Sequence, residues 1–378
     1  MAERIRFPFA RPVMPAPAEW VPLLDASYSA RWYSNGGPLV TRLERELGEP
    51  FEGREAVLVG SATAGITAAL LAMGVRGRVV VPAFTFPATI HAIELAGCEP
   101  LLCDIDPETW ELAPHAAQAA VATQGCIAIV HVRAYGLCRD LSAMEHVARE
   151  AGVPLIVDSA AAFGGTEPTG RLVGHAGDAE VFSFHATKVF AMGEGGAVIA
   201  SPELVTKMGS VINFCIDGGD VTGRAMNGKV SEFAAAVAIA ASQTLASHIG
   251  VREAAQEYLR VIAERAGARA PASAHVGQPP WQCLPLVLHE QAQRDGVKAH
   301  LRASGIESRA YYCPGLHRST AWAGRASGKL PATDWLAARL LCIPLYSDLA
   351  GAELREVGVA LRAALAAHDL RHASDQAA

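Results

Sequence analysis

The sequence carries eight cysteines but no Cys-x-x-Cys pair and no Cys/His cluster with ligand spacing. That argues against a zinc site and against a disulfide framework, and the cysteines read as small buried hydrophobes of a reducing compartment. Basic runs and aromatic–basic interleaving are also missing, and the formal net charge is −6. An extended nucleic-acid surface is therefore not expected, although a local positive pocket for an anionic substrate fits that balance. No apolar run is long enough to cross a bilayer; the most apolar helical stretch, FAAAVAIAASQTLA, is short and alanine-rich. MAERIRFPFARPVMPAP has no continuous apolar core of the secretory type. The expectation is a soluble cytoplasmic protein with no membrane partner.

What is present is enough apolar material for a large core. Of 378 residues 51% are hydrophobic and 19% charged, which suits one large or two unequal domains. Strand-type runs alternate with helix-type runs over the first two-thirds. AVLVG precedes TAGITAALLAMG, RVVVPAF precedes PATIHAIELAG, and PLLCDI follows. CIAIVHV, DLSAMEHVAREAG, PLIVDSA, AEVFSFHA and GGAVIAS complete the series. Short apolar strands separated by helices predict an α/β domain with a mostly parallel sheet covered on both faces. After about Gly250 the texture changes to amphipathic helices and the extended run WQCLPLVL. The expected division is a large domain over 1–249, N-terminal segment included, and a small α+β domain over 250–378, with a disordered tail at RHASDQAA.

Sites in such sheets gather at the carboxyl ends of the strands. PLIVD ends on Asp158, a carboxylate that is costly to bury unless paired. VFSFHATK ends on Ser183, His185, Thr187 and Lys188. VLVGSATAG puts small hydroxyl residues at a strand-to-helix junction, where free N–H groups and the helix dipole favour an anion. Its spacing matches neither the dinucleotide fingerprint nor the Walker A loop. VPAFTFPAT supplies Phe84 and Phe86. Singly, each feature has an ordinary explanation: a helix cap, a structural ion pair, core packing, a surface lysine. Jointly they suit a flat, phosphorylated, aldehyde-bearing pyridine, pyridoxal 5′-phosphate. The helix N-terminus takes its phosphate, an aromatic covers its face, a carboxylate keeps its ring nitrogen protonated and a lysine forms its Schiff base.

The segments WYSNGGPLVTRLERELG, VPAFTFPATIHAIELAGCEPLLCDIDPETWEL, VDSAAAFGG, SFHATKVFAMGEGGAVIAS, GRAMNGKVSEFAAAVAIA, GIESRAYYCPGLH and LCIPLYSDL occur in that order. With them the chain resembles the DegT/DnrJ/StrS group of fold-type I, pyridoxal-phosphate-dependent sugar aminotransferases over nearly its whole length. The resemblance assigns roles by position. Lys188 matches the lysine that holds the cofactor covalently, Asp158 the partner of the pyridinium nitrogen, and Phe86 the aromatic on the ring. Thr63 and Ala64 match the phosphate-binding turn, and Ser183 adds a hydroxyl to the phosphate. Asn227 matches an asparagine that reaches the phosphate from a neighbouring subunit, which implies a homodimer with shared sites. Two positions depart from the group: Ala62 stands where glycine is common before Thr63, and Ala161 where Gln or His touches the cofactor's phenolic oxygen.

The resemblance also implies the reaction. The displaced Lys188 acts as general base, moving the proton from the donor's α-carbon to the cofactor, with L-glutamate the usual donor. NGKVSEF and GIESRAYYCPGLH look most like the branch that aminates C4 of dTDP-4-keto-6-deoxyhexoses, often for secondary metabolites. That would set Tyr312 and His317 near the sugar, and Lys229 near the diphosphate or the donor carboxylate. A nucleotide-sugar 3-aminotransferase and a cyclitol aminotransferase are the alternatives. Related dehydratases carry histidine in place of the lysine, and a non-enzymatic regulator would be free to lose Lys188 or Asp158; both are present.

Overall fold

A computed structural model describes residues 5–271 and 276–368; the tail expected to be disordered lies outside them. Seven strands, β1 (Glu55–Val59), β2 (Arg78–Pro82), β3 (Glu99–Cys103), β4 (Cys126–Val132), β5 (Leu155–Asp158), β6 (Ala179–Ser183) and β7 (Gly196–Ala200), form one sheet. Their spatial order is β1-β7-β6-β5-β4-β2-β3. The β2–β3, β2–β4, β4–β5 and β5–β6 pairs are parallel. Strand β7 runs antiparallel to both β1 and β6. Residues 184–195, which join β6 to β7, contain no helix, and without a crossover the chain returns alongside itself.

Both faces of the sheet are covered. Ile66 and Leu70 of the helix Ala62–Ala72, Ile90 and Ile93 of Pro87–Leu95 and Met208 of Pro202–Val211 pack on Val57, Val79, Val81, Ile156, Val181 and Val198. On the other face Leu39 and Leu43 of Pro38–Gly48 and Ile239 of Glu232–Ser242 cover Leu58, Phe182 and Ile199. Met144 and Val147 of Ser142–Ala151 cover Val80, Ile129 and Val157. Because strand side chains alternate, Val79 and Val81 serve one layer and Val80 the other. Each such buried residue contributes roughly 1.5–3 kcal/mol of transfer free energy. Helix starts follow local chemistry: Ser61, Ser201 and Ser231 accept from the N–H groups of Ala64, Leu204 and Ala234, and proline opens Pro38–Gly48 and Pro87–Leu95.

Beyond the sheet, and past a two-residue-strand hairpin of β8 (Ile216–Asp217) and β9 (Asp220–Val221), an antiparallel pair, β10 (Cys283–Val287) and β11 (Leu340–Pro344), follows. Leu259, Leu301 and Leu361 from the helices Leu245–Arg265, Gln291–Ala303 and Gly351–Ala367 pack with it in one core. The helix Leu245–Arg265 runs through residue 250, where the sequence changes texture. The N-terminal segment joins this core: Phe7 donates to Gly305 O and accepts from the N–H of Glu307, and its ring is fully buried. Among the described residues no single helix is long and apolar enough to cross a membrane, and no group of three or more His, Cys, Asp or Glu side chains has the arrangement of a metal site.

Candidate active site

A cavity of about 440 Å³ opens at the carboxyl edge of the sheet. Its floor and walls combine the ends of β5 and β6, the turns after β1, β2 and β4, and the C-terminal unit. Asp158, Ser183, Lys188, Thr63 and Phe86, all expected from the sequence, line it together with Tyr312.

Asp158 is the last residue of β5 and is buried. Its Oδ2 accepts from Thr89 Oγ1 at 2.7 Å and its Oδ1 from the N–H of Ala160 at 3.1 Å. Burial raises its pKa; the Thr89 and Ala160 hydrogen bonds, and then the charge of Lys188, oppose that rise. Lys188 follows a tight turn closed by its own N–H on His185 O at 2.8 Å. Its Nζ makes no hydrogen bond or ion pair among the described residues. Burial lowers its pKa, Asp158 raises it, and Arg252 lowers it further. The amine is thereby shifted towards its neutral, nucleophilic form.

Ser61 caps the helix Ala62–Ala72, its hydroxyl accepting from the N–H of Ala64, and Ser61, Ala62, Thr63 and Ser183 line the cavity, where a helix start favours an anion. Gly65 lets the helix lie close to the sheet: an added Cβ would sit 2.9 Å from Val181 and 3.0 Å from Val198. Phe86 is half-exposed at 51%, an apolar ring with an open face, and its centroid lies 6.4 Å from that of Tyr311 and 6.5 Å from that of Tyr312.

These features fit pyridoxal phosphate. A buried carboxylate with a raised pKa gains from a cationic N–H partner, as a pyridinium supplies. An unpaired lysine amine lies in the same enclosure, and a capped helix start offers donors to a phosphate. Ala161 also lines the cavity, and its carbonyl lies where a Cβ on Gly136 would be 2.2 Å away. Its methyl brings no hydrogen-bonding group.

Four residues assigned by resemblance do not line the cavity of the single chain. Ala64 is turned into the helix start, its N–H donating to Ser61 Oγ at 3.1 Å. Asn227 is exposed and its backbone bridges to Asn213. Lys229 Nζ lies 4.3 Å over the Phe214 ring. His317 sits on the turn Leu316–Arg318 with Nε2 3.0 Å from Asp334 Oδ1, an acid shared with Arg318. Tyr312 does line the cavity, its ring stacked at 10° on Tyr135.

Other wall residues had no sequence signal. Arg309 donates to Tyr311 Oη at 2.6 Å and to Glu307 at 3.0 Å, and stacks over Phe9. Gln282 Nε2 donates to Thr187 O at 3.0 Å. Beneath the floor, Arg133 is buried against Glu180 at 2.9 Å and against Glu167, while Glu180 also accepts from Ser159 Oγ and from the N–H groups of Gly174 and Ala176. The Gln282–Thr187, Arg133–Glu180 and Arg133–Glu167 contacts join distant segments, and only the strand-end rule points to their general location.

The DegT/DnrJ/EryC1/StrS aminotransferase family model matches residues 18–362. The dTDP-4-amino-4,6-dideoxy-D-glucose transaminase of Shigella dysenteriae is 29% identical over 349 residues, 90% of this chain and 94% of that protein. The crystal structure of DesI in the presence of its TDP-sugar product superposes with a TM-score of 0.89 at 33% identity, covering 99% of this chain and 97% of that one. DesV of S. venezuelae, solved in complex with a ketimine intermediate, superposes with a TM-score of 0.83 at 27% identity, covering 94% and 99%. The chain belongs to the DegT/DnrJ/EryC1/StrS family and is a pyridoxal-phosphate-dependent aminotransferase.

Proposed function

We propose that this aminotransferase moves the amino group of L-glutamate to C4 of dTDP-4-keto-6-deoxy-D-glucose, making an amino-sugar for a secondary metabolite. The supporting observation is the likeness over 99% of the chain to DesI, whose structure was solved with a TDP-sugar product. The Shigella dysenteriae relative, which bears the name of a 4-amino-4,6-dideoxyglucose transaminase, supports the same position of amination. In the single chain the aromatic wall of Phe86, Tyr311 and Tyr312 gives a hydroxylated ring an apolar face to lie on. Asn227 and Lys229 complete the site from a second copy, Asn227 at the phosphate and Lys229 at the diphosphate or donor carboxylate. His317 acts from the small domain through its turn.

When bound, pyridoxal phosphate supplies the aldehyde that accepts the amine and the ring that holds the electrons released at the donor's α-carbon. The chain's own groups do the rest. Lys188 Nζ, kept towards neutral by burial, takes the proton from the donor's α-carbon and delivers it across the cavity. Asp158, held by Thr89 and Ala160, keeps the ring nitrogen protonated through its carboxylate. Ser183, Thr63 and the helix start hold the phosphate, and the enclosed walls exclude water. In the second half-reaction Lys188 returns the proton at the sugar carbon.

The test is an assay of purified enzyme with L-glutamate and a panel of nucleotide keto-sugars and cyclitol ketones, read by mass and with the aminated carbon placed by NMR. C4 amination of the dTDP 4-keto sugar is expected. A product aminated only at C3, or an aminated cyclitol alone, overturns this reading.

A further inference from the structure

We propose that the C-terminal unit holds the peptide that carries Lys188, with Gln282 as the positioning residue. Gln282 lies directly before β10 and its side-chain amide donates to the carbonyl of Thr187 at 3.0 Å. Thr187 is the residue before Lys188, so this hydrogen bond fixes one of the two peptide units from which the catalytic side chain springs.

Gln282 is itself held from behind. Arg252, in the helix Leu245–Arg265, is buried with only 3% exposure. Its guanidinium donates to Trp281 O at 3.1 Å, Gln282 O at 3.5 Å and Leu345 O at 3.3 Å, and to Ser347 Oγ at 2.9 Å. All four acceptors are neutral, and burial lowers the Arg252 pKa to about 10. A buried guanidinium without a carboxylate is a costly way to join two strand ends. Trp281 next to it holds φ +50°, a left-handed conformation that a tryptophan rarely adopts. The segment feeding Gln282 into the cavity is thus fixed at both its backbone and its side chain. One turn earlier on the same helix, His248 lies against the carbonyl of Val189, the residue after Lys188. The C-terminal unit therefore meets the chain at the carbonyl just before Lys188 and again at the carbonyl one residue after it.

The chemistry gives this arrangement a purpose. Lys188 must leave its covalent partner, act as a base and return, and a side chain that moves in this way needs a fixed origin for Nζ to reach the same two positions each turn. The loop 184–195 has no helix of its own to supply that stiffness. This inference concerns the aminotransferase step itself and is independent of which sugar is the acceptor, so its failure and a wrong substrate assignment are distinguishable.

The test uses the holoenzyme and two variants of similar shape, Gln282→Glu and Gln282→Met, neither of which donates to Thr187 O. Hydrogen exchange over residues 184–191 should quicken by about tenfold, the size expected for one lost hydrogen bond, with the rest of the chain unchanged. The kcat of the donor half-reaction should fall by a similar factor with KM for glutamate unchanged. Two outcomes overturn the proposal. Exchange over 184–191 that stays at the wild-type rate in both variants removes the positioning role. A loss that appears in KM alone makes Gln282 a substrate contact instead.

Discussion

Thr89 Oγ1 donates to Asp158 Oδ2 at 2.7 Å, joining the helix after β2 to the end of β5 across 69 residues of sequence. Thr85 Oγ1 lies 3.0 Å behind it. This short relay favours the ionised form of a carboxylate whose burial acts the other way. Thr89→Val should leave Asp158 with a pKa higher still and slow the donor half-reaction by about tenfold, the worth of one hydrogen bond to a charge. Asp158→Asn should slow it by several orders of magnitude with the fold intact. Stopped-flow rates and a melting curve check both, and near wild-type turnover in Asp158→Asn would make this carboxylate structural.

The covalent link to the cofactor should map to Lys188 alone. Borohydride reduction followed by peptide mass mapping should label the fragment containing Lys188, and Lys188→Ala should lose both label and transamination. Label on any other lysine contradicts the assignment.

The direction of the Lys188 shift makes a pH prediction. Burial and Arg252 favour the neutral amine, and Asp158 favours the charged one, with burial the largest. In cofactor-stripped protein the reaction of Lys188 with an amine-directed reagent should have its midpoint below the ordinary value of 10.5. Asp158→Asn removes the one raising carboxylate and should move the midpoint lower again. For stability, the folded state binds fewer protons than the unfolded chain between the lowered pKa and 10.5. Stability from this group therefore rises with pH across that window. A midpoint at or above 10.5 contradicts the picture.

The ion cluster under the floor should dominate local stability. Arg133→Ala leaves Glu180 and Glu167 buried without their cation, and removing one partner of such a pair costs about 3–5 kcal/mol. Chemical denaturation should show that loss. A cost below about 1 kcal/mol would place the cluster with exposed pairs, which contribute little.

Whether two copies share a site has its own test. Lys188→Ala and Asn227→Asp are each expected to be inactive, the second because an aspartate beside a phosphate dianion costs a few kcal/mol at an effective dielectric near about 20. If Asn227 serves a second copy, mixed dimers hold one site with both lesions and one with neither, so up to half of their sites recover. If it serves its own chain, every site keeps one lesion and mixing restores nothing.

Much of this was legible in the residues. The strands of the sheet show as apolar runs because strands buried on both faces leave no alternation to hide them. Asp158, Ser183 and Lys188 were legible because their strands end in polar residues that a core does not tolerate without purpose. Strand β7 escaped: GGAVIAS reads as one more buried strand, and direction resides in the connection, not in the strand's own residues. The 249/250 boundary rested on texture, which a continuous helix, Leu245–Arg265, crosses.

What the sequence determined, then, is local: which runs are strands, where each stops, and which chemical group stands at the stop. What tertiary structure decided is who meets whom. Thr89 finds Asp158, Gln282 finds Thr187 and Arg133 finds Glu180 only after strands from distant parts of the chain lie side by side. His317, placed near the sugar by likeness, meets Asp334 in the single chain, a partner 17 residues away. Hydrogen bonds and buried charges act over a few ångströms, and those separations are set by the packing of the whole sheet and its C-terminal unit, not by any segment read alone.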